Sequence, residues 1–125
     1  MSEKARIRAQ FREAVLGRAG HRCQGPGCAA RGPSVKLDAH HITNRNLMPA
    51  GGYVAENGIA LCDTPGGCHE KAEAVDHGEL VDPRFTASAL YRIIGSSPEA
   101  ATAASERLAA GTYEPPRARP GARRT

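Results

Sequence analysis

Three stretches decide the fold: Val35-Lys-Leu-Asp-Ala-His-His-Ile42, Gly58-Ile-Ala-Leu-Cys62 and Cys68-His-Glu-Lys-Ala-Glu-Ala-Val-Asp-His77. The first alternates and predicts a strand over 35–42. The second is short, wholly apolar and preceded by the turn-forming pair Asn57-Gly58, which predicts a buried strand. The third is rich in the helix formers Glu, Lys and Ala and predicts a helix from Cys68 to about His77. Between the strands, Thr43 to Asn57 contains Pro49 and Gly51-Gly52 and reads as a long ordered loop. Two strands followed by a helix predict a small α+β domain.

Outward from this core, Ile7, Phe11 and Val15 recur at helical spacing among arginines. They predict an amphipathic helix from Ser2, as N-cap, to about Leu16, with Gly17 or Gly20 as the stop. Residues 21–34 hold Gly, Pro and two Cys and read as a knuckle. On the other side, Thr86 to Ile94 predicts a short helix. Ser97-Pro98-Glu99 then supplies a cap, a Pro at the first helical position and an acid in the first turn of a last helix, which runs to about Ala110 and ends at Gly111. The expected organisation is one domain over 1–111 and an Arg/Pro-rich disordered tail over 112–125.

Composition narrows the classes. The 125 residues include five aromatics, no Trp, 14 Gly and 9 Pro, a core thin enough to need a staple. No apolar run has the length of a membrane span, and the first residues are charged rather than signal-like, which predicts a cytoplasmic protein. In that compartment four cysteines are expected to hold a metal rather than form two disulfides. The net charge is +4 and is unevenly spread: net +4 over 1–22, net −3 over 23–112 and net +3 over 113–125. Basic ends around an acidic middle fit an anionic polymer held by the arms, or simply solvated ends.

Cys23-x4-Cys28 and Cys62-x5-Cys68 are two pairs, each spanning a Gly-containing turn, spaced to clasp one ion between them. Four thiolates around one Zn²⁺ would form a closed structural site with no open position for chemistry. The histidines suggest a second site. His40 and His41 are adjacent on a strand and point to opposite faces, so one can serve a metal and the other a substrate.

With Asn57 before the second strand and His69 directly after Cys68, the sequence resembles the HNH endonuclease family. The match is carried by Asp38-Ala-His-His-Ile42, Met48-Pro-Ala-Gly-Gly52, Asn57-Gly-Ile-Ala-Leu-Cys62 and Cys68-His-Glu-Lys71, within roughly residues 12–77. One spacing departs: the family usually has two residues between the second pair of cysteines, and this chain has five.

The resemblance implies a ββα-metal finger over 35–77 with an interwoven four-cysteine zinc knuckle (23–28 and 62–68), flanked by the basic helix and the C-terminal helices. It implies metal-dependent hydrolysis of DNA phosphodiester bonds by a bacterial or phage-type enzyme, leaving 3′-hydroxyl and 5′-phosphate ends. His40 and His69 correspond to ligands of the catalytic divalent ion, His41 to the general base and Asn57 to the brace of the loop. Glu73, one turn after His69, is either a further ligand or an exposed helix carboxylate, and Glu70 is a weaker rival. Two imidazoles suit Mn²⁺, Ni²⁺, Co²⁺ or Zn²⁺ better than Mg²⁺, although phosphate oxygens and waters allow Mg²⁺ to serve.

For DNA, Arg45 is the expected phosphate contact near the scissile group, with Arg12, Arg18 and Arg22 along the backbone. The C-terminal arginines would add sequence-blind affinity. A monomer would nick and a homodimer could cut both strands. The alternative is a non-catalytic zinc-ribbon module that binds nucleic acid.

Overall fold

The computed structural model describes residues 2–116. Helix α1 spans Glu3–Arg18, strands β1 and β2 span Leu37–His41 and Gly58–Cys62, and helices α2, α3 and α4 span Cys68–Asp76, Ala87–Ile94 and Pro98–Ala110. This is a small α+β architecture built on one two-stranded antiparallel sheet.

Helix α1 starts where the capping residue places it: the Ser2 hydroxyl accepts from the Ala5 N–H at 3.1 Å. It continues through Gly17, and the chain reverses at Gly20, where φ is +66°. Phe11 and Val15, four residues apart, lie on one face with Leu16 and are buried, while most arginines project outward. That face crosses the hairpin at Gly58. A Cβ there would meet Phe11 Cζ at 2.8 Å and also strike Val15, so a glycine is what lets the helix lie this close. Fully burying side chains such as Phe11 and Val15 contributes roughly 1.5–3 kcal/mol each.

In the hairpin, Leu37 pairs with Cys62, Ala39 with Ala60 and His41 with Gly58. All five residues of β2 are buried, whereas β1 is buried only at Leu37. β1 is shorter than the predicted 35–42. Val35 N–H turns back to the Arg31 carbonyl, and Ile42 N–H bonds the Asn57 carbonyl just past the ladder. The loop between the strands is ordered, as expected, through three 3-10 turns at Arg45–Leu47, Pro49–Gly52 and Ala55–Asn57.

The C-terminal helices pack back on this loop. Leu90 and Tyr91 of α3 are buried, and the small residues Ala101, Ala104 and Ser105 let α4 approach the Pro49–Gly52 turn. Ser97 caps α4 as predicted, its Oγ accepting from Ala100 N–H, and Thr86, read as the first residue of the helix, instead caps α3, its Oγ1 accepting from Ala89 N–H. The expectation of a disordered tail from residue 112 needs correction at Tyr113. Its hydroxyl accepts from the Ala55 N–H and donates to the Glu56 carboxylate, both at 3.0 Å, so ring and hydroxyl together anchor the chain. The remainder of that expectation, over 117–125, lies outside the described residues. Among the described residues, no helix is long and apolar enough to cross a membrane.

Candidate functional site

Two groups of metal-ligating side chains lie on either side of the junction between β2 and α2. The first gathers Cys23 and Cys28 from the knuckle, Cys62 from the end of β2 and Cys68 from the start of α2. Their four sulfurs all lie within 4.8 Å of one another, and none forms a disulfide. Cys28 and Cys62 sulfurs are 3.9 Å apart. A tetrahedron with metal–sulfur bonds of about 2.3 Å has an edge of ~3.8 Å, so the donor set fits one ion.

Backbone N–H groups converge on the same sulfurs: Gly25 and Cys62 donate to Cys23 Sγ at 3.3 and 3.2 Å, and Cys68 donates to Cys62 Sγ at 3.3 Å. Gly25 has no room for a side chain, since a Cβ would meet Cys68 Cβ at 2.8 Å. Burial pushes the Cys23 and Cys68 thiols up. Burial also opposes ionisation of Cys62, but the Cys68 N–H and the neighbouring thiols outweigh it and bring that thiol below its usual range. Four thiols packed together resist ionising together unless a cation joins them.

The second group opens into a cleft of about 360 Å³ lined by residues of β1, the Asn44–Asn46 turn and α2. Asp38 and His40, two apart on β1, share a face; His69 and Glu73, one turn apart on α2, share another. Asp38, His40 and His69 present donor atoms within 4.8 Å of one another. His69 Nε2 is 3.3 Å from Asp38 Oδ2 and 3.6 Å from Glu73 Oε1. The His40 and His69 rings are 5.3 Å apart between centroids. Burial, reinforced by His69 and His41 nearby, lowers the His40 pKa to about 3, so this imidazole stays neutral and able to ligate.

His41 points to the opposite side of the strand and stacks on Phe11, with centroids 4.5 Å apart, while Tyr53 meets it edge-on at 4.6 Å. Its Nε2 is buried without a hydrogen-bond partner. Burial first, and the Arg45 charge second, lower its pKa to about 4. A neutral imidazole at the edge of the cleft can accept a proton.

Asn57 is fully buried and ties the loop shut. Its carbonyl oxygen accepts from Thr43 N–H at 2.9 Å and from the Tyr91 hydroxyl at 2.8 Å, and its amide donates to the Thr43 and Gly52 carbonyls. Gly52 adopts φ +65°, and a Cβ there would meet Asn57 Nδ2 at 2.7 Å. The brace fixes Thr43, two residues beyond His41.

The predicted cations are placed differently from one another. Arg45 is exposed at the cleft and donates to the Tyr53 hydroxyl at 2.7 Å. Arg18, expected on phosphate, is engaged internally: its guanidinium donates to the Ala55 carbonyl at 2.9 Å and to the Gly58 carbonyl. These carbonyls lie where the loop enters β2, and a five-donor fork satisfies both. Arg12 reaches the Leu37 carbonyl at 3.4 Å, and Arg22 stays exposed beside Arg31 in an isolated bridge. Glu70 accepts from Gly66 N–H at 3.0 Å and so serves the cysteine loop.

Three contributors escaped the sequence reading. Asp38 carried a signal, because its spacing from His40 places both on one strand face. Asp63, which meets His69 Nδ1 at 3.5 Å, was marked only by following Cys62. Tyr91 had no local signal, since it reaches Asn57 across the fold. No protein-family model matches the chain, and no curated protein or solved structure matches it.

Proposed function

We propose that the protein is a metal-dependent endonuclease that hydrolyses DNA phosphodiester bonds, with a ββα-metal finger of the kind the HNH resemblance implies. The observation that carries this reading is the convergence, in one open cleft, of Asp38, His40 and His69 with the neutral His41 and the exposed Arg45. The donor chemistry of Asp38, His40 and His69, with Glu73 close to His69, fits a divalent ion that these residues would hold. When bound, that ion would polarise the scissile phosphate and offset charge on the departing oxygen.

The chain's own residues supply the rest. The neutral His41 imidazole takes a proton from water as the water oxygen bonds to phosphorus. The phosphorus–O3′ bond breaks, and the leaving oxygen takes a proton from solvent. Arg45 offers a guanidinium to a phosphate oxygen beside the attacked group. Phe11 and Tyr53 hold the His41 ring in place, and Asn57 fixes the loop that carries Arg45. In this reading the four cysteines hold Zn²⁺ structurally, with no position open for chemistry.

The test is nicking of supercoiled plasmid by zinc-loaded wild type and His41→Ala, after removal of weakly held metal and titration with Mg²⁺, Mn²⁺, Ni²⁺ and Co²⁺. The expected result is metal-dependent cleavage that falls about 10²–10⁴-fold in a folded His41→Ala protein. Retained DNA binding with no cleavage under any metal would replace the nuclease with a nucleic-acid-binding module.

A further inference from the structure

We infer that Asp63 is a positioning residue for the cleft: its carboxylate holds the Nδ1 edge of His69, so that Nε2 is presented between Asp38 and Glu73 as a metal donor. The inference rests on reading the cleft as a divalent-ion site.

Asp63 lies one residue after Cys62, and His69 one residue after Cys68, so both are anchored beside sulfurs of the buried cluster. The Asp63 N–H donates to the Lys36 carbonyl at 2.8 Å, which keeps the residue in line with the hairpin beyond the last strand pair. Its Oδ2 meets Lys36 Nζ at 3.3 Å, and its Oδ1 faces His69 Nδ1 at 3.5 Å. The loop that follows closes on itself through Gly67 N–H to the Thr64 carbonyl at 2.8 Å, returning the chain to α2 with His69 opposite Asp63.

A neutral imidazole has one proton for two nitrogens. With Asp63 at Nδ1 as the acceptor of that proton, Nε2 would be the nitrogen left to bind a cation. Nε2 faces two carboxylates, Asp38 at 3.3 Å and Glu73 at 3.6 Å, a cluster of donor atoms that a divalent cation between them would join. A carboxylate behind a ligating histidine also fixes the ring orientation and makes it a better donor, and losing such a partner typically weakens metal binding by about 10–100-fold. An ordinary exposed ion pair with Lys36 would have no such effect.

The experiment is Co²⁺ titration of the zinc-loaded full chain, followed by calorimetry and by visible absorption. It compares wild type, His69→Ala, Lys36→Ala, Asp63→Ala, Asp63→Asn and Asp63→Glu, with zinc content and thermal unfolding recorded for each. The expected result is Co²⁺ affinity lowered about 10–100-fold in Asp63→Ala, less in Asp63→Asn, and partly restored in Asp63→Glu. Zinc content and unfolding temperature should stay at wild-type values, with little change in Lys36→Ala. Wild-type Co²⁺ affinity in Asp63→Ala would overturn the positioning role, as would zinc loss in both Asp63→Ala and Asp63→Asn. A wild type whose Co²⁺ binding ignores His69→Ala would instead overturn the cleft site itself.

Discussion

The cysteine cluster and the cleft share a hairpin and a helix, yet they are built on opposite principles. In the cluster, four identical soft donors face inward, three of the four residues are buried, and N–H groups aim at the sulfurs. In the cleft, a carboxylate and two imidazoles stand at the wall of an open hollow, with a second carboxylate and a guanidinium within reach. A closed set of donors joins distant segments of chain: here it links a knuckle near residue 25 to the end of β2 and the start of α2. An open set leaves room for a substrate. The first should govern whether the protein folds, and the second what the folded protein does.

That contrast can be broken most severely at the cluster. Cys62→Ser, or metal removal with a strong chelator, is expected to abolish cooperative unfolding, because the binding energy of a four-thiolate structural ion, ~10 kcal/mol or more, is folding energy. Circular dichroism against temperature, paired with metal analysis, checks this; a sharp transition in metal-free protein would show the cluster to be dispensable.

The next largest effect belongs to the cleft. Asp38→Asn should weaken Mn²⁺ binding at least as much as the ~10–100-fold typical of an outer partner, while Glu73→Gln, farther from His69, costs less. Both variants should unfold like wild type. Isothermal titration with Mn²⁺ separates them, and a Glu73 effect exceeding that of Asp38 would exchange their roles.

The smallest effect sharpens the boundary between support and function. Arg45→Ala should lower DNA affinity and reduce the salt dependence of binding by about one unit of slope. Arg18→Ala should leave the slope unchanged and instead lower stability, by about 1–3 kcal/mol for two carbonyls deprived of their donor. Binding measured over a salt series, beside denaturant unfolding of the same proteins, distinguishes the two arginines. Equal slopes for both variants would remove Arg45 from the DNA-facing surface.

Legibility followed the range of the interactions. Features decided within one turn of chain were readable: the Ser2 and Ser97 caps, the Pro98 start of α4, the stop at Gly111 and the bounds of β2. The cysteine cluster was readable because four thiols in two spaced pairs have few ways to be used. The cleft was half readable. His40, His41 and His69 stood out by type and order, but Asp38 was passed over although its two-residue spacing from His40 placed it on the same face. Tyr91 and Tyr113 were not readable, because each acts through a hydroxyl that crosses the fold, to Asn57 and to Ala55 and Glu56 respectively. Arg18 shows the same limit: its charge is visible in a sequence, but the carbonyls its guanidinium meets belong to residues about forty positions away.

Cys68 and His69 are joined by a single peptide bond, so the two sites are electrical neighbours as well as structural ones. Four thiolates outweigh the charge of any divalent ion they enclose, and the filled cluster is therefore an anion as a whole. Next to His69 in the chain, such an anion would lower the potential in the cleft and favour a cation there. A metal staple at the cysteines would thus also bias what the cleft attracts, and a change of charge at the cluster would be felt as a change of metal affinity in the cleft.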